Sequence, residues 1–378
     1  MNQKLSVLFL CGWYPSRILP YNGDFVQRHA EAVSLKHNVS VIHIITDDTL
    51  QSKIEYTFDK INNVNTHIAY VKSTKNYILK FLLFCKAFHF LIKKVGTLDV
   101  VHLNEIYPFG IFSLYLKWVK KTPFLVSEHW TGYHKPQSKN IPFFQKLISK
   151  IISQNASFVC PVSDNLAKSM RIFGLKSNYK KVPNVVDTSL FIPIKKKNNI
   201  FTITHISNMR NEHKNIIGIL DVISKIEKKI DNFQFKLIGE NSSKYYNEIS
   251  KLGIDNSNFF LLDQIPHQEI AKELANSDLF VLFSNYENLP CVILEAFSCG
   301  IPVISTNVGG ISEYFPDDFG KLIEVNHQKK LEQEIINCYE KKYSFANKER
   351  MHDYVKSMFS KETIALNFSD LYFKSLQD

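Results

Sequence analysis

The sequence predicts an α/β protein made of two doubly wound domains. Short apolar segments alternate with helix-like segments along most of the 378 residues, and this length exceeds what one hydrophobic core usually serves. The apolar segments are continuous, as expected of parallel strands that are buried on both faces. A polar, lysine-rich tract at residues 195–199 interrupts the alternation, which then restarts.

The first half of the chain begins with an apolar strand, followed by a loop that contains Gly23 and a helix that starts near Asp24. The most apolar helix candidate, residues 77–95, is interrupted by Lys80 and Lys86 and is therefore not a membrane span. We expect this helix to pack on the sheet; the alternative is a basic, aromatic face that contacts a membrane. The predicted strands are residues 5–11, 39–45, 99–103, 124–130 and 157–163.

The second half repeats the pattern, most clearly in residues 279–310, which read as strand, loop, helix and strand. Pro290 is expected to open that helix and Gly300 to end it. We assign residues 1–193 to the first domain and 194–361 to the second, with a final helix at 362–378 that closes the second domain or packs back on the first. The predicted strands are residues 201–207, 233–239, 259–263, 279–284, 301–305 and 321–325; the clearest helices are 216–230 and 268–275.

The composition narrows the classes of partner. The formal charge of +10 suggests a nucleic acid, an anionic membrane surface or acidic small molecules. The six cysteines are scattered without a C-x-x-C pair, as expected of reduced core thiols in the cytoplasm. The first apolar run is too short for a signal peptide, so we expect no export.

Charged side chains follow several predicted strands, at the sheet edge where open α/β proteins bind ligands. Glu287 lies in the loop of the 279–310 stretch and Glu295 lies in its helix. Amide groups at a helix start favour anions and carboxylates favour hydroxyl donors, which suits a ligand with a phosphate and vicinal hydroxyls. Lys214 and Arg210 could hold phosphates, although such a lysine alone is more often merely exposed. His129 is a further candidate, about as readily explained as an ordinary loop histidine.

Several other chemistries lack their motifs. The first strand is not followed by G-x-G-x-x-G or a Walker loop, which argues against NAD-type and P-loop enzymes. No H-E-x-x-H motif or cysteine cluster offers a metal site, and the G-x-S-x-G elbow is missing. No recognition module for RNA is visible, so we expect no nucleic-acid partner.

The segment 284–315, SNYENLPCVILEAFSCGIPVISTNVGGISEYF, resembles the E-x7-E signature of the retaining glycosyltransferases of family 4. Weaker matches lie in the same order along nearly the whole chain. They are Tyr14-Pro-Ser, Gly23-Asp-Phe-Val, Ser127-Glu-His, Val162-Ser, Pro183-Asn-Val-Val-Asp, Lys214-Asn and Leu237-Ile-Gly.

The resemblance implies the GT-B fold, in which two Rossmann-like domains face each other across a cleft. It also implies reaction on one face of the donor sugar without a protein nucleophile and without a metal or other cofactor. The implied contacts are Glu287 to the sugar hydroxyls, Glu295 to the ribose, amides near Asn288 and Leu289 to the sugar or phosphates, Lys214 to the diphosphate, Gly23 beside it, and His129 at the reacting centre.

One departure concerns the cations. The family pattern G-R-x-x-x-x-K places glycine and arginine before the lysine, whereas this chain has Asn208 and Met209 there. Arg210 follows one position late, and we expect it to replace the family arginine. The usual second glycine near Gly23 is also missing.

The predicted function is transfer of a hexose or N-acetylhexosamine from a UDP- or GDP-sugar to a saccharide or lipid-linked acceptor in cell-surface polysaccharide synthesis. The enzyme is expected in the cytoplasm, with peripheral attachment to the anionic inner face of the membrane as a further expectation. The alternatives are a sugar-nucleotide epimerase or hydrolase of the same architecture and a noncatalytic glycan- or membrane-binding protein.

Overall fold

The structure is a computed structural model that describes residues 4–196, 198–254 and 257–377. It divides into two compact units. Unit 1 contains the chain up to Val185 together with the segment from Lys361 onwards, and unit 2 is Val186–Ser360. Each unit is an α/β sheet whose parallel strands are joined by helical crossovers, so the predicted pair of doubly wound domains is confirmed.

Unit 1 contains a sheet that, among the described residues, has the order β3-β4-β2-β1-β5-β6-β7. Every neighbouring pair is parallel except β3 and β4. The strands are β1 (Ser6–Cys11), β2 (Asn38–Asp47), β3 (Ile54–Ile61), β4 (Val64–Lys72), β5 (Val100–Asn104), β6 (Phe124–Glu128) and β7 (Phe158–Pro161). The helices are α1 (Asp24–Ser34), α2 (Tyr77–Val95), α3 (Gly110–Lys120), α4 (Phe143–Asn155) and α5 (Asp164–Phe173).

The direction of the crossovers assigns the helices to the two faces of this sheet. The connection from β1 to β2 runs one way along the strand order, and the connection from β4 to β5 runs the other way. Because such crossovers are right-handed, α1 covers one face, and α2, α3 and α4 cover the other.

The hairpin of β3 and β4 was not among the predicted strands. Its tight turn places Asn62 and Asn63 at positive φ, 48° and 67°. Asparagine tolerates this backbone region, and a pair of such residues closes a two-residue hairpin. The Asn-Asn pair was therefore a usable signal, as was the alternation of apolar and polar residues in the first part of β3.

Unit 2 contains an all-parallel sheet whose order among the described residues is β10-β9-β8-β11-β12-β13. The strands are β8 (Phe201–Ile206), β9 (Phe233–Ile238), β10 (Phe259–Leu262), β11 (Leu279–Leu282), β12 (Val303–Thr306) and β13 (Gly320–Ile323). The helices are α6 (Asn211–Lys214), α7 (Ile216–Ile226), α8 (Tyr246–Leu252), α9 (His267–Ala275), α10 (Cys291–Ser298), α11 (Gln328–Tyr339) and α12 (Lys348–Phe359).

The change of unit lies between Val185 and Val186, earlier in the chain than the assigned boundary after residue 193. The intervening residues bond to unit 2. The Val186 N–H donates to the Phe359 carbonyl at 2.9 Å, and the Ser298 hydroxyl donates to the carbonyl of the buried Phe191 at 2.6 Å. The predicted boundary rested on the polar tract alone, which gives no sign of these tertiary hydrogen bonds.

The last described helix, α13 (Lys361–Ser375), belongs to unit 1. Its Ile364, Phe368 and Tyr372 are fully buried in the core that includes α1. The core of unit 1 thus contains residues from both sides of unit 2 in the sequence.

Candidate active site

The stretch with the strongest family signature folds as a strand, a loop and a helix at the carboxyl edge of the unit 2 sheet. β11 ends at Leu282 and α10 begins at Cys291, with Pro290 at the N-cap rather than at the first helical position. The helix ends before Gly300, which has a φ of 70°. Glu287 therefore lies in the loop and Glu295 lies in the helix, as the sequence predicted.

Glu287 has a cation and a hydroxyl as partners. Lys214 Nζ forms an ion pair with Glu287 Oε1, and the Ser284 hydroxyl donates to the same oxygen at 2.7 Å. Both side chains of the ion pair are largely withdrawn from water. Lys214 ends the short helix α6 after β8, which neighbours β11, so the sheet order brings the two residues together.

Two further contacts hold the loop backbone around Glu287. Gly309 has a φ of 60°, and a Cβ there would lie 1.9 Å from the Glu287 carbonyl oxygen. The next residue, Gly310, donates its N–H to the Asn288 carbonyl at 2.8 Å. Gly309, the first glycine of the signature pair, is thus needed for a close approach of two backbone segments.

The other predicted donor-binding residues of this segment are buried near the same loop. Asn288 and Leu289 follow Glu287 directly and are almost fully buried. Glu295 is also buried, and one of its carboxylate oxygens lies 3.3 Å from His267 Nε2 of α9.

The loop between β8 and α6 is ordered by a buried histidine. His205 donates from Nδ1 to the Val281 carbonyl at 2.8 Å, which leaves Nε2 to accept from the Ser207 hydroxyl at 2.8 Å. Burial lowers the pKa of His205 to about 3, and the nearby Lys214 charge also lowers it, so the ring is neutral. The Ser207 oxygen in turn accepts from the Met209 N–H at 3.2 Å.

The departure from the family pattern G-R-x-x-x-x-K has a structural basis in this loop. Met209, at the place of the family arginine, has a φ of 54° and is fully buried in the unit 2 core. Arg210 is exposed and forms no ion pair with any other described residue. The arginine of this loop therefore lies one residue later than in the family pattern. That Arg210 replaces the family arginine stays a prediction.

Unit 1 places a different carboxylate at its own sheet edge. Glu128, the last residue of β6, is fully buried and accepts from the His129 and Trp130 N–H groups, both at 2.9 Å, and from the Ile106 N–H at 3.1 Å. Burial raises the pKa of Glu128, and these three backbone donors oppose that shift. Burial also raises the pKa of the neighbouring Glu105, and the Glu128 charge adds to it. We therefore assign the negative charge of this pair to Glu128.

His129 lies just past β6, at the carboxyl edge of the unit 1 sheet. Its ring packs against Phe25 and His29 of α1, with centroid distances of 4.6 and 5.4 Å. Burial and the neighbouring His29 lower the pKa of His129 well below its usual value, although a hydrogen bond with Asn184 opposes the shift. His129 is accordingly a neutral hydrogen-bonding group at pH 7.

Gly23 precedes α1 and adopts a left-handed backbone with a φ of 73°. A Cβ at this position would lie 2.5 Å from the Trp13 carbonyl carbon and 2.7 Å from the Tyr14 nitrogen. The glycine is thus required by packing within the loop after β1. Its predicted place beside a diphosphate stays a prediction.

The structure brings together Lys214, Glu287, Asn288 and Leu289 within unit 2. Three participants were missed in the sequence: Ser284, His205 and Gly309. Gly309 had a signal in the Gly-Gly pair of the signature, and Ser284 lies only three residues before Glu287. His205 gains its role only through the sheet order. Across residues 4–196, 198–254 and 257–377, no three His, Cys, Asp or Glu side chains are grouped as metal ligands.

Two family models match consecutive parts of the chain. The model described as Glycosyltransferase Family 4 matches residues 26–190, and the one described as Glycosyl transferases group 1 matches residues 189–358. The fold and these matches place the chain among the glycosyl transferases. It belongs to glycosyltransferase family 4 and has the GT-B fold.

Relatives and solved structures agree with this assignment. A phosphatidylinositol N-acetylglucosaminyltransferase subunit of Arabidopsis thaliana is 28% identical over 203 residues, 52% of this chain and 44% of that protein. The chain therefore spans less than half the length of this relative. N-acetyl-alpha-D-glucosaminyl L-malate synthase of Bacillus anthracis is 27% identical over 298 residues, 75% of this chain and 76% of the relative. The crystal structure of Anabaena HepE in complex with UDP and glucose shares the fold, with a TM-score of 0.74, 17% identity and coverage of 97% and 99%.

Proposed function

We propose that the protein transfers a hexose or N-acetylhexosamine from a UDP- or GDP-sugar to a saccharide or lipid-linked acceptor in cell-surface polysaccharide synthesis, with retention of configuration. The proposed location is the cytoplasm. The observation that carries this proposal is the ion pair of Glu287 and Lys214 at the carboxyl edge of the unit 2 sheet. It combines an acceptor for sugar hydroxyls with a cation for a diphosphate.

Glu287 is assigned to the donor sugar. The contacts described for its carboxylate are to Oε1, from Lys214 and Ser284. Among the described residues this leaves Oε2 able to accept from a sugar hydroxyl. Because the protein itself supplies both Oε1 partners, the carboxylate is oriented before the sugar binds, which favours a reactive geometry.

Lys214 is assigned to the leaving diphosphate. A lysine ammonium carries three N–H donors, and Glu287 accepts one of them. The other two can donate to phosphate oxygens, whose negative charge grows as the sugar bond breaks. In this proposal Lys214 and the exposed Arg210 neutralise the diphosphate without a metal ion, while Glu295 contacts the ribose, and backbone amides near Asn288 and Leu289 contact the sugar or phosphates.

Unit 1 is assigned to the acceptor and the reacting centre. His129 contributes a neutral imidazole, which can orient a hydroxyl without adding charge. Gly23 is proposed to lie beside the diphosphate. The names of both relatives contain an N-acetylglucosaminyl group, which supports an N-acetylhexosamine donor.

A donor screen tests the proposal. The purified chain is incubated with UDP-N-acetylglucosamine, UDP-glucose and GDP-mannose together with saccharide and lipid-linked acceptors, and released nucleotide is measured. We expect one donor to bind in calorimetry and to release nucleotide only with an acceptor, and NMR of the product to show the anomeric configuration of the donor. Absence of binding by every donor would reject the function, and an inverted product would reject retention.

The cation assignments are separated by two variants. Lys214→Ala is expected to weaken donor binding about a hundredfold and Arg210→Ala about fivefold, because Lys214 is oriented by Glu287 and Arg210 is solvated. If Arg210→Ala leaves both donor affinity and turnover intact, Arg210 does not replace the family arginine.

A further inference from the structure

Three helices form a continuous layer on one face of the unit 1 sheet. Phe88 of α2 stacks on Phe112 of α3, with ring centroids 4.2 Å apart. Lys117 of α3 donates to the Asn155 carbonyl at the end of α4, at 2.6 Å. We call α2, α3 and α4 together the three-helix layer.

The outer side of this layer carries large apolar side chains in water. Tyr77 is 87% exposed and Phe143 is 82% exposed, although each begins a helix of an otherwise well-packed domain. The core side of α2 is a separate stripe that contains Leu83, Phe88 and Leu91. The helix thus packs on the sheet, as predicted, and also has the exposed aromatic face that was its alternative. The exposed apolar residues of the layer are Tyr77, Ile78, Leu79, Phe81, Leu82, Phe90, Tyr115, Trp118, Val119, Phe143, Phe144, Leu147 and Ile151.

The spacing of these residues defines ridges that run along the helices. Tyr77 and Phe81 are four residues apart, as are Phe143 and Leu147, so each pair lies on one helical face. A ridge of this size has no role in the hydrophobic core. Contiguous exposed apolar patches mark an interaction surface.

The charged side chains of the layer itself and its adjoining loops all have one sign. Every Asp, Glu, Lys or Arg in residues 73–98, 107–123 and 134–157 is a lysine, and none is ion-paired with an acidic side chain of the described residues. Such a basic, aromatic surface is complementary to an anionic interface with an apolar layer beneath it. The lysines are Lys75, Lys80, Lys86, Lys93, Lys94, Lys117, Lys120, Lys121, Lys135, Lys139, Lys146 and Lys150.

The apolar helix starts lie at a particular edge of unit 1. In a parallel α/β sheet the crossover helices begin beside the carboxyl ends of the strands. Tyr77 and Phe143 therefore lie at the same edge of the sheet as His129. A surface bound there would be presented to the predicted acceptor side of unit 1.

We propose that the three-helix layer docks on an anionic lipid bilayer, with the aromatic and aliphatic ridges in the headgroup region and the lysines on the lipid phosphates. Tyr, Trp and Phe side chains suit this interfacial depth, and long lysine stems extend from it to the headgroups. Within the described part of the chain, no helix is both long and apolar enough to cross a bilayer, so the attachment is to the surface.

Two other occupants fit the layer less well. A second copy related by two-fold symmetry would place the lysines of one layer against those of the other, which is repulsive. Single-stranded RNA would use the aromatic rings and lysines but would leave aliphatic ridges such as Ile78 and Leu82 without a matching surface.

The test uses the full chain without a donor, so its result does not depend on the proposed function. Sedimentation is measured with phosphatidylcholine vesicles and with vesicles of an equimolar phosphatidylcholine and phosphatidylglycerol mixture. The variants F143S/F144S and Y77S/F81S remove ridges. Leu366→Ser is the matched control, because Leu366 is 55% exposed on α13, which packs with α1 on the other face, and Leu82 of the layer is 57% exposed.

We expect binding to the anionic vesicles only, reduced by added salt, and about tenfold weaker binding for each double variant. The control should bind within about twofold of the wild type. Equal binding of the double variants and the wild type would overturn the proposal. So would a dimer in light scattering that F143S/F144S dissociates, or tighter binding to single-stranded RNA than to the vesicles.

A second measurement does not depend on the folding of a ridge variant. Trp118 is exposed on α3, within the layer. Brominated lipids quench tryptophans that enter the bilayer interface, so they should quench the wild type more strongly than Trp118→Phe. Equal quenching of the two proteins would place Trp118 outside the lipid and overturn the proposal.

Discussion

The carboxyl edges of the two sheets hold their carboxylates in opposite ways. Glu128 in unit 1 accepts from three backbone N–H groups and, at 3.4 Å, from the Tyr133 hydroxyl, whereas Glu287 in unit 2 is held by the side chains of Lys214 and Ser284. Backbone donors cannot turn towards a ligand without moving the chain, but an ammonium or a hydroxyl can. Glu128 therefore stabilises its loop, while Glu287 is suited to exchange partners with a substrate.

The largest effect is expected at Glu287. Glu287→Gln keeps the volume but removes the charge that orients Lys214, and turnover should fall about 10³-fold. The measurement is the rate of nucleotide release with saturating donor and acceptor. Glu295→Gln is the matched variant within unit 2, and we expect it to weaken donor binding about tenfold with a smaller loss of turnover. Equal effects of the two variants on binding and turnover would contradict the separate roles of these carboxylates.

The next effect should appear in stability rather than in chemistry. Glu128→Gln turns an amide group towards backbone N–H donors, and we expect it to lower the free energy of unfolding by about 3 kcal/mol. Urea denaturation measures the loss, and hydrogen exchange in β5 and β6 assigns it to unit 1. Asp59→Asn, an exposed change on β3, should cost less than about 0.5 kcal/mol. An unchanged stability of Glu128→Gln would show that the loop does not depend on the carboxylate.

The smallest effect concerns pH and the loop before Lys214. The pKa of His205 is about 3 in the folded protein and near 6.5 when exposed, so unfolding takes up a proton at acidic pH. The contribution of His205 to the free energy of unfolding is complete above pH 6.5 and is lost as the pH falls towards 3. Between pH 7 and pH 5 it amounts to about 2 kcal/mol. From pH 7 to pH 5 the free energy of unfolding of His205→Asn should therefore fall by that amount less than the free energy of unfolding of the wild type. Equal decreases in the two proteins would show that His205 is not neutral in the fold.

Much of the fold could be predicted because continuous apolar runs are a local property. The helix at residues 77–95 was predicted at the bounds that the structure has. The hairpin of β3 and β4 was missed because β3 alternates apolar and polar residues, as a half-exposed edge strand does, and is not a continuous apolar run like the buried strands. The exposed face of α2 was not the favoured expectation, because apolar composition alone does not tell which side of a helix meets water.

The candidate site was predicted less completely, since its contacts join distant parts of the chain. Glu287 and Lys214 were selected from motifs, but their ion pair follows from the pairing of β8 with β11. Ser284 and His205 lie outside the functional residues that the family signature suggested. The burial of Met209 likewise explains why the arginine is displaced, which the spacing alone shows only as an irregularity.

The helix α13 has a consequence for how the protein is made. Tyr372 lies 2.6 Å from His102 Nδ1 through its hydroxyl oxygen, and Ser369 lies 2.9 Å from His37 Nε2, so residues translated after all of unit 2 complete the interior of unit 1. The ribosome therefore synthesises the whole of unit 2 before the core of unit 1 can be completed. Unit 1 thus begins before unit 2 in translation and is completed after it, and until then its core lacks the apolar side chains of α13.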